Sequence, residues 1–78
     1  MSITFGTQLY QLLNNQQTQW AIEVFKINTQ LFADESNAWD SLGEAYAANQ
    51  QIELAKSSFQ QAIKLGHATS ADKLKQLN

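Results

Sequence analysis

Between Trp39 and Ala62 the chain reads WDSLGEAYAANQQIELAKSSFQQA, and how this stretch divides decides the fold. Trp39, Leu42, Gly43 and Tyr46 fall at i, i+3, i+4 and i+7, which is one face of an α-helix. Ile52, Ala55, Phe59, Ala62 and Ile63 mark the same kind of face on a second helix. Asn49-Gln50-Gln51 between them is short and polar, as a turn between two helices should be. Gly43 and Ala55 lie on the inward faces, where small side chains let two backbones approach. Tyr46 and Phe59 then fill the neighbouring holes.

Working outward, sliding the sequence along itself by one constant offset pairs Ala21 with Ala55, Phe25 with Phe59 and Leu31 with Leu65. The same offset lays Asn15-Gln16-Gln17 on Asn49-Gln50-Gln51, Phe5 on Trp39 and Leu12 on Tyr46. Matches fall at apolar helix positions and at one polar turn, the signature of a structural repeat. The first copy therefore reads as an opening helix over Ser2 to Asn14 with Phe5, Leu9, Leu12 and Leu13. A second helix, capped by Thr18, carries Ala21, Val24, Phe25, Asn28 and Leu31. Ser36, or Asp34 in competition with it, is the expected N-cap before Trp39, and Gly66 the C-terminal cap after Leu65. A last short helix, capped by Thr69 or Ser70, carries Leu74 and Leu77. The expectation is an all-α single domain over 1–78: repeat one at 2–35, repeat two at 36–69, a capping helix at 70–78. That makes five helices, four of them in two antiparallel pairs.

Composition narrows the function classes. Five lysines with no arginine against seven acidic residues give a net charge of −2, which lacks the basic stripe a nucleic-acid binder needs. No apolar run is long enough to span a bilayer, and the start lacks the basic and apolar blocks of a signal peptide. A complete chain of this kind is expected in the cytoplasm. There are no cysteines and one histidine, so thiolate or histidine-rich metal sites are not expected, nor is any cofactor. His67 reads as a solvated turn residue. Asp40 and Glu44, one turn apart, read as a polar helix face rather than an acid/base couple, and Ser57-Ser58 has no histidine in helical reach. The chain is not expected to be an enzyme.

The set Trp39, Leu42, Gly43, Tyr46, Ala55, Phe59 and Ala62 resembles the tetratricopeptide repeat family. That family's pattern is Trp-x2-Leu-Gly-x2-Tyr, then Ala-x3-Phe, then a closing proline. The first copy keeps Ala21 and Phe25 but has Phe5, Gln8, Leu9 and Leu12 at the first four places. Ala33 and His67 stand where the closing proline is common, and Asn28 where alanine is preferred. The resemblance implies a right-handed α-solenoid fragment whose packing residues are those seven. It also implies a partner groove lined by Tyr10, Asn14, Asn37, Asp40, Glu44 and Lys75. Of the places where chaperone-binding members hold a terminal carboxylate, only Lys75 has the matching charge here. Asp40 and Glu44 would repel such a group, so a neutral or basic peptide is the expected ligand. The stretch EVFKINTQLFADESNAWDSLGEAY is also similar to the repeat tail at the C-terminus of some bacterial serine hydrolases. That likeness implies the alternative role of an accessory or oligomerising domain of a larger enzyme.

Two repeats leave an end of the stack uncovered. Phe5, Leu9, Trp20 and Val24 are expected to form an open apolar patch there, buried by a second copy as a homodimer or by the rest of a larger protein. The functional expectation is a non-catalytic protein-protein interaction module, a scaffold binding a protein or peptide in its groove or self-associating through its open end.

Overall fold

A computed structural model of the chain describes residues 2–77, and the side chains of residues 16–77. Every regular element among the described residues is helical: α1 spans Ser2–Leu31, α2 Ser36–Ala48, α3 Ile52–Lys64 and α4 Thr69–Leu77. Helices α2 and α3 form the expected antiparallel hairpin. α1 packs against α2, and α4 against α3. Ile22, Leu42, Ala45, Tyr46, Ala55 and Phe59 form the core, with Phe25, Trp39, Ala47, Leu74 and Leu77 packed half-buried around it. Ala55 and Ala62 are wholly buried.

The hairpin rests on one close contact. A Cβ built on Gly43 would lie 2.6 Å from Cδ1 and Cε1 of Phe59, so the aromatic ring occupies the space a side chain would need. Both helices end in the same way. The N–H groups of Gln51 and Gln50 donate to the carbonyls of Tyr46 and Ala47, and those of His67 and Gly66 to Ala62 and Ile63. These paired bonds close the last turn of a helix when the following residue turns left-handed. Gly66, with φ 101°, takes that conformation without a Cβ penalty, whereas Gln50 takes it at φ 63° with one.

The first copy departs from the expected pair. Asn15-Gln16-Gln17 does not turn, and α1 runs unbroken for 30 residues. At about 1.5 Å per residue this helix is about 45 Å long, and it sets the longest dimension of a molecule measuring 50 × 28 × 16 Å. Two physical reasons are at hand. No glycine or proline falls between Gly6 and Gly43, and glutamine is a good helix former, so nothing local breaks the helix. The turn in the second copy also needs a left-handed glutamine, and the Gly43–Phe59 approach offsets that cost. The first copy has Leu9 at the place of Gly43, so Phe25 cannot be approached as closely.

The caps differ too. Thr18 lies inside α1, and Ser36 is the first residue of α2 rather than its cap. The N-cap is Glu35, with no side-chain hydrogen bond, so Asp34 does not cap either. Trp39 instead ties the α1–α2 link down, its Nε1–H donating to the Ala33 carbonyl at 2.9 Å.

Two substitutions test this account by thermal melting. Gly43→Leu is expected to cost about 1–3 kcal/mol through overpacking against Phe59, and an unchanged midpoint would remove the close contact from the account. Gln50→Gly is expected to stabilise by roughly 0.5–1 kcal/mol by relieving the left-handed backbone.

Candidate functional site

The first candidate is the polar cluster where α2 meets α4. Asp40, on the first turns of α2, is buried. Its Oδ1 accepts from the Ser70 hydroxyl at 2.6 Å and its Oδ2 from the Lys73 ammonium at 2.7 Å. Lys73 also lies 3.2 Å from the Glu44 carboxylate, so one cation bridges two acids one turn apart. His67 joins from the α3–α4 link: Nε2 is 2.8 Å from Asn37 Oδ1, and Nδ1 is 3.0 Å from both the Thr69 and the Ser70 hydroxyl oxygens. An amide oxygen only accepts, so Nε2 carries the hydrogen. Nδ1 then accepts from Thr69, because Ser70 spends its hydrogen on Asp40.

Burial pushes the Asp40 carboxyl up, but the hydrogen bonds from Lys73 and Ser70, backed by the Lys73 charge, hold it below its ordinary 3.8. The hydrogen bond to Asp40 raises the Lys73 ammonium above its ordinary 10.5, against a smaller opposing effect of burial.

Serine, histidine and aspartate within hydrogen-bond reach invite comparison with a hydrolytic triad, and the wiring rules it out. In a triad the serine donates to the imidazole and the carboxylate holds the other ring nitrogen. Here Ser70 donates to the carboxylate, Asn37 holds the other nitrogen, and Ser70 is 0% exposed, beyond the reach of any substrate. The cluster is a polar clasp that fixes α4 on the hairpin. No group of histidine, aspartate and glutamate among the described residues could hold a metal ion.

This placement corrects two expectations. Asp40, assigned to the partner groove, faces α4 and is not available to a ligand, and Glu44 already has Lys73 beside it. Of the two carboxylates that favoured a basic peptide, only Glu44 stays exposed, and it shares Lys73 with Asp40. His67 is not a solvated turn residue, since its ring is held by Asn37 and Thr69 with 19% of its side chain exposed. Of the other groove residues, Asn37 holds His67 and Lys75 is exposed on α4, while the side chains of Tyr10 and Asn14 lie outside the described residues. Lys73 was missed by sequence reasoning. Its signal was faint: a lysine one residue before Leu74 on a short capping helix.

The second candidate is the outer face of α1. Trp20 is 67% exposed, Val24 56%, Ile27 55% and Leu31 69%, with Phe32 just beyond at 55%. Trp20 and Val24 belong to the expected open patch. Its other members, Phe5 and Leu9, have side chains outside the described residues. Ile27 and Phe32 join the patch, and so does Leu31, which the repeat pattern had placed inward. Beside this row an open cleft of about 420 Å³ separates α1 from α2, lined by Thr18, Ala21, Phe25, Ser41, Ala45 and Ala48 among others. No helix among the described residues is long and apolar enough to cross a membrane.

Comparisons with family models, with curated proteins and with solved structures found no match to the chain.

The clasp predicts a pH dependence with a definite sign. A carboxyl whose folded pKa is depressed contributes stability that is present above its unfolded value of 3.8 and lost as the pH falls through the lower folded value. Wild type is thus expected to lose thermal stability as the pH falls below about 4. Asp40→Asn is expected to start lower and to show a flatter profile over that range. Parallel profiles for the two proteins would show that the clasp does not carry this dependence.

Proposed function

We propose that this chain is a non-catalytic protein-protein interaction module, a fragment of a tetratricopeptide-like helical stack, and that its working surface is the apolar row of α1. The observation that carries the reading is the row itself. Trp20, Val24, Ile27 and Leu31 stand at i, i+4, i+7 and i+11, each more than half exposed. Alternating steps of four and three form the seam along which helices pack on one another. Full burial of side chains this size is worth about 1.5–3 kcal/mol each, enough in sum to offset part of the entropic cost of association.

The repeat-like reading has its own support. Leu42, Gly43, Tyr46, Ala55, Phe59 and Ala62 are all buried at one hairpin interface, and Trp39 packs against the same core. Helix α4 closes the far side of that hairpin through Leu74, Leu77 and the Asp40 clasp. One side of the stack is thereby sealed, and the other presents the row of α1. A partner suited to that face offers an apolar helix or ridge, because the row holds no charge to be met.

The test pairs Val24→Glu with Ile27→Glu in one variant. Its stability is expected to stay within about 0.5 kcal/mol of wild type, since both side chains are exposed. A protein recovered on the immobilised wild-type chain from an extract of the source cell should bind the variant at least about tenfold more weakly in direct titration. Equal affinity for both proteins would show that this row is not the working surface.

A further inference from the structure

We infer that the face of α1 is covered by a second copy of the chain, the two α1 helices lying antiparallel about a two-fold axis near Gln16-Gln17, so that residues 2–14 of each copy fill the cleft between α1 and α2 of the other. The inference rests on the interaction-module reading and extends it to the cleft beside the row, whose described lining contains none of Trp20, Val24, Ile27 and Leu31.

The first observation is an unequal burial of equivalent residues. On α3, the positions that face α2 are sealed: Ala55 0% exposed, Ser58 4%, Phe59 2% and Ala62 0%. Their counterparts in the first copy, at the offset that pairs Ala21 with Ala55, are Ala21, Val24, Phe25 and Asn28. Val24 is 56% exposed, and the other three are only partly covered. The same kind of helix face is covered in one copy and open in the other. What covers it on α3 is α2, a helix of 13 residues. The stretch that corresponds to α2 at the same offset is residues 2–14.

The chain therefore carries a matching covering segment but does not place it on its own cleft. In α2 and α3, Gly43 meets Phe59; the corresponding pair is Leu9 and Phe25. In a continuous helix these two stand about 24 Å apart along the axis. A hairpin as close as that of α2 and α3 would overpack a leucine against Phe25. A helix from another molecule is not tethered by a short turn, so it can lie at the ordinary spacing of about 8–10 Å, where a leucine fits.

Charge and area agree with this occupant. The first charged side chain in the sequence is Glu23, so residues 2–14 form a helix without one ionic group. Covering such a segment desolvates no charge. The cleft matches it, since Glu44 is the one ionic residue in its described lining. A compact monomer of 8.8 kDa exposes about 4,800 Å², whereas this chain exposes 5639 Å². A standard interface covers roughly 800 Å² on each partner, a small share of that surface. Straight helices paired antiparallel fill both clefts at once, which is the closed exchange that two-fold symmetry allows.

The test uses the full chain, which has no cysteine, with nitroxide labels at Gln16→Cys or Gln30→Cys, both exposed positions. Sedimentation equilibrium at tens of micromolar should give twice 8.8 kDa. Labels at residue 16 should couple at the spacing of packed helices, about 10 Å plus the label arms. Labels at residue 30 should stand about 40 Å apart. A dimer in which both positions couple at short range would be a parallel pair. That result overturns the exchange while leaving the interaction-module reading intact. A monomer mass with no dipolar coupling at either position overturns the second copy as occupant, and the reading of the row then stands or falls on the titration of the glutamate variant.

Discussion

Phe59 lies where a side chain on Gly43 would be, and most of the molecule depends on that contact. It lets α2 and α3 approach closely enough to bury Ala55 and Ala62 completely. The burial offsets a left-handed glutamine in the intervening turn. Leu42, Ala45 and Tyr46 of α2 share one core with Ala55, Phe59 and Ile22, and Phe25 packs against it. Residues 15–17, which align with that turn at the repeat offset, have no such glycine contact in support, and the helix runs on through them.

The other end of the hairpin is held by electrostatics rather than by shape. Leu74 and Leu77 alone give α4 a narrow apolar contact. Asp40 adds direction: a buried carboxylate satisfied by Ser70 and Lys73 is costly to leave unpaired, so α4 is held in one register. The clasp also withdraws Asp40 from the surface, while Glu44 stays exposed at the edge of the cleft. The apolar side of α1 stays exposed.

Much of the fold was legible in the sequence because its signals are local or periodic. The approximate extents of α2, α3 and α4, the glycine cap at Gly66 and the packing role of Gly43 follow from helical spacing and the repeat offset. The break at Asn15-Gln16-Gln17 was misread because Asn-Gln-Gln is not itself a turn sequence. It turns at residues 49–51 because a tertiary contact stabilises the turn there. The candidate site was less legible. Asp40 and Glu44 looked like an acidic surface, since Lys73, distant in sequence, leaves no periodic trace near them. Trp20 and Val24 were expected in the open patch. Ile27 and Leu31 were not, because which side of a mostly apolar helix is covered depends on its neighbours.

The sequence by itself determined that this chain is helical, that its second half contains a hairpin closed by glycine, alanine and two aromatics, and that no charged side chain precedes Glu23. These are properties of spacing and composition, which each segment carries alone. Only the tertiary structure decided that residues 2–31 stay one long helix instead of folding into a hairpin, that Lys73 is shared between the two α2 carboxylates, and that the row from Trp20 to Leu31 faces outward. Each of these depends on the distance between residues far apart in the chain, and that distance is set by how closely two backbones can pack.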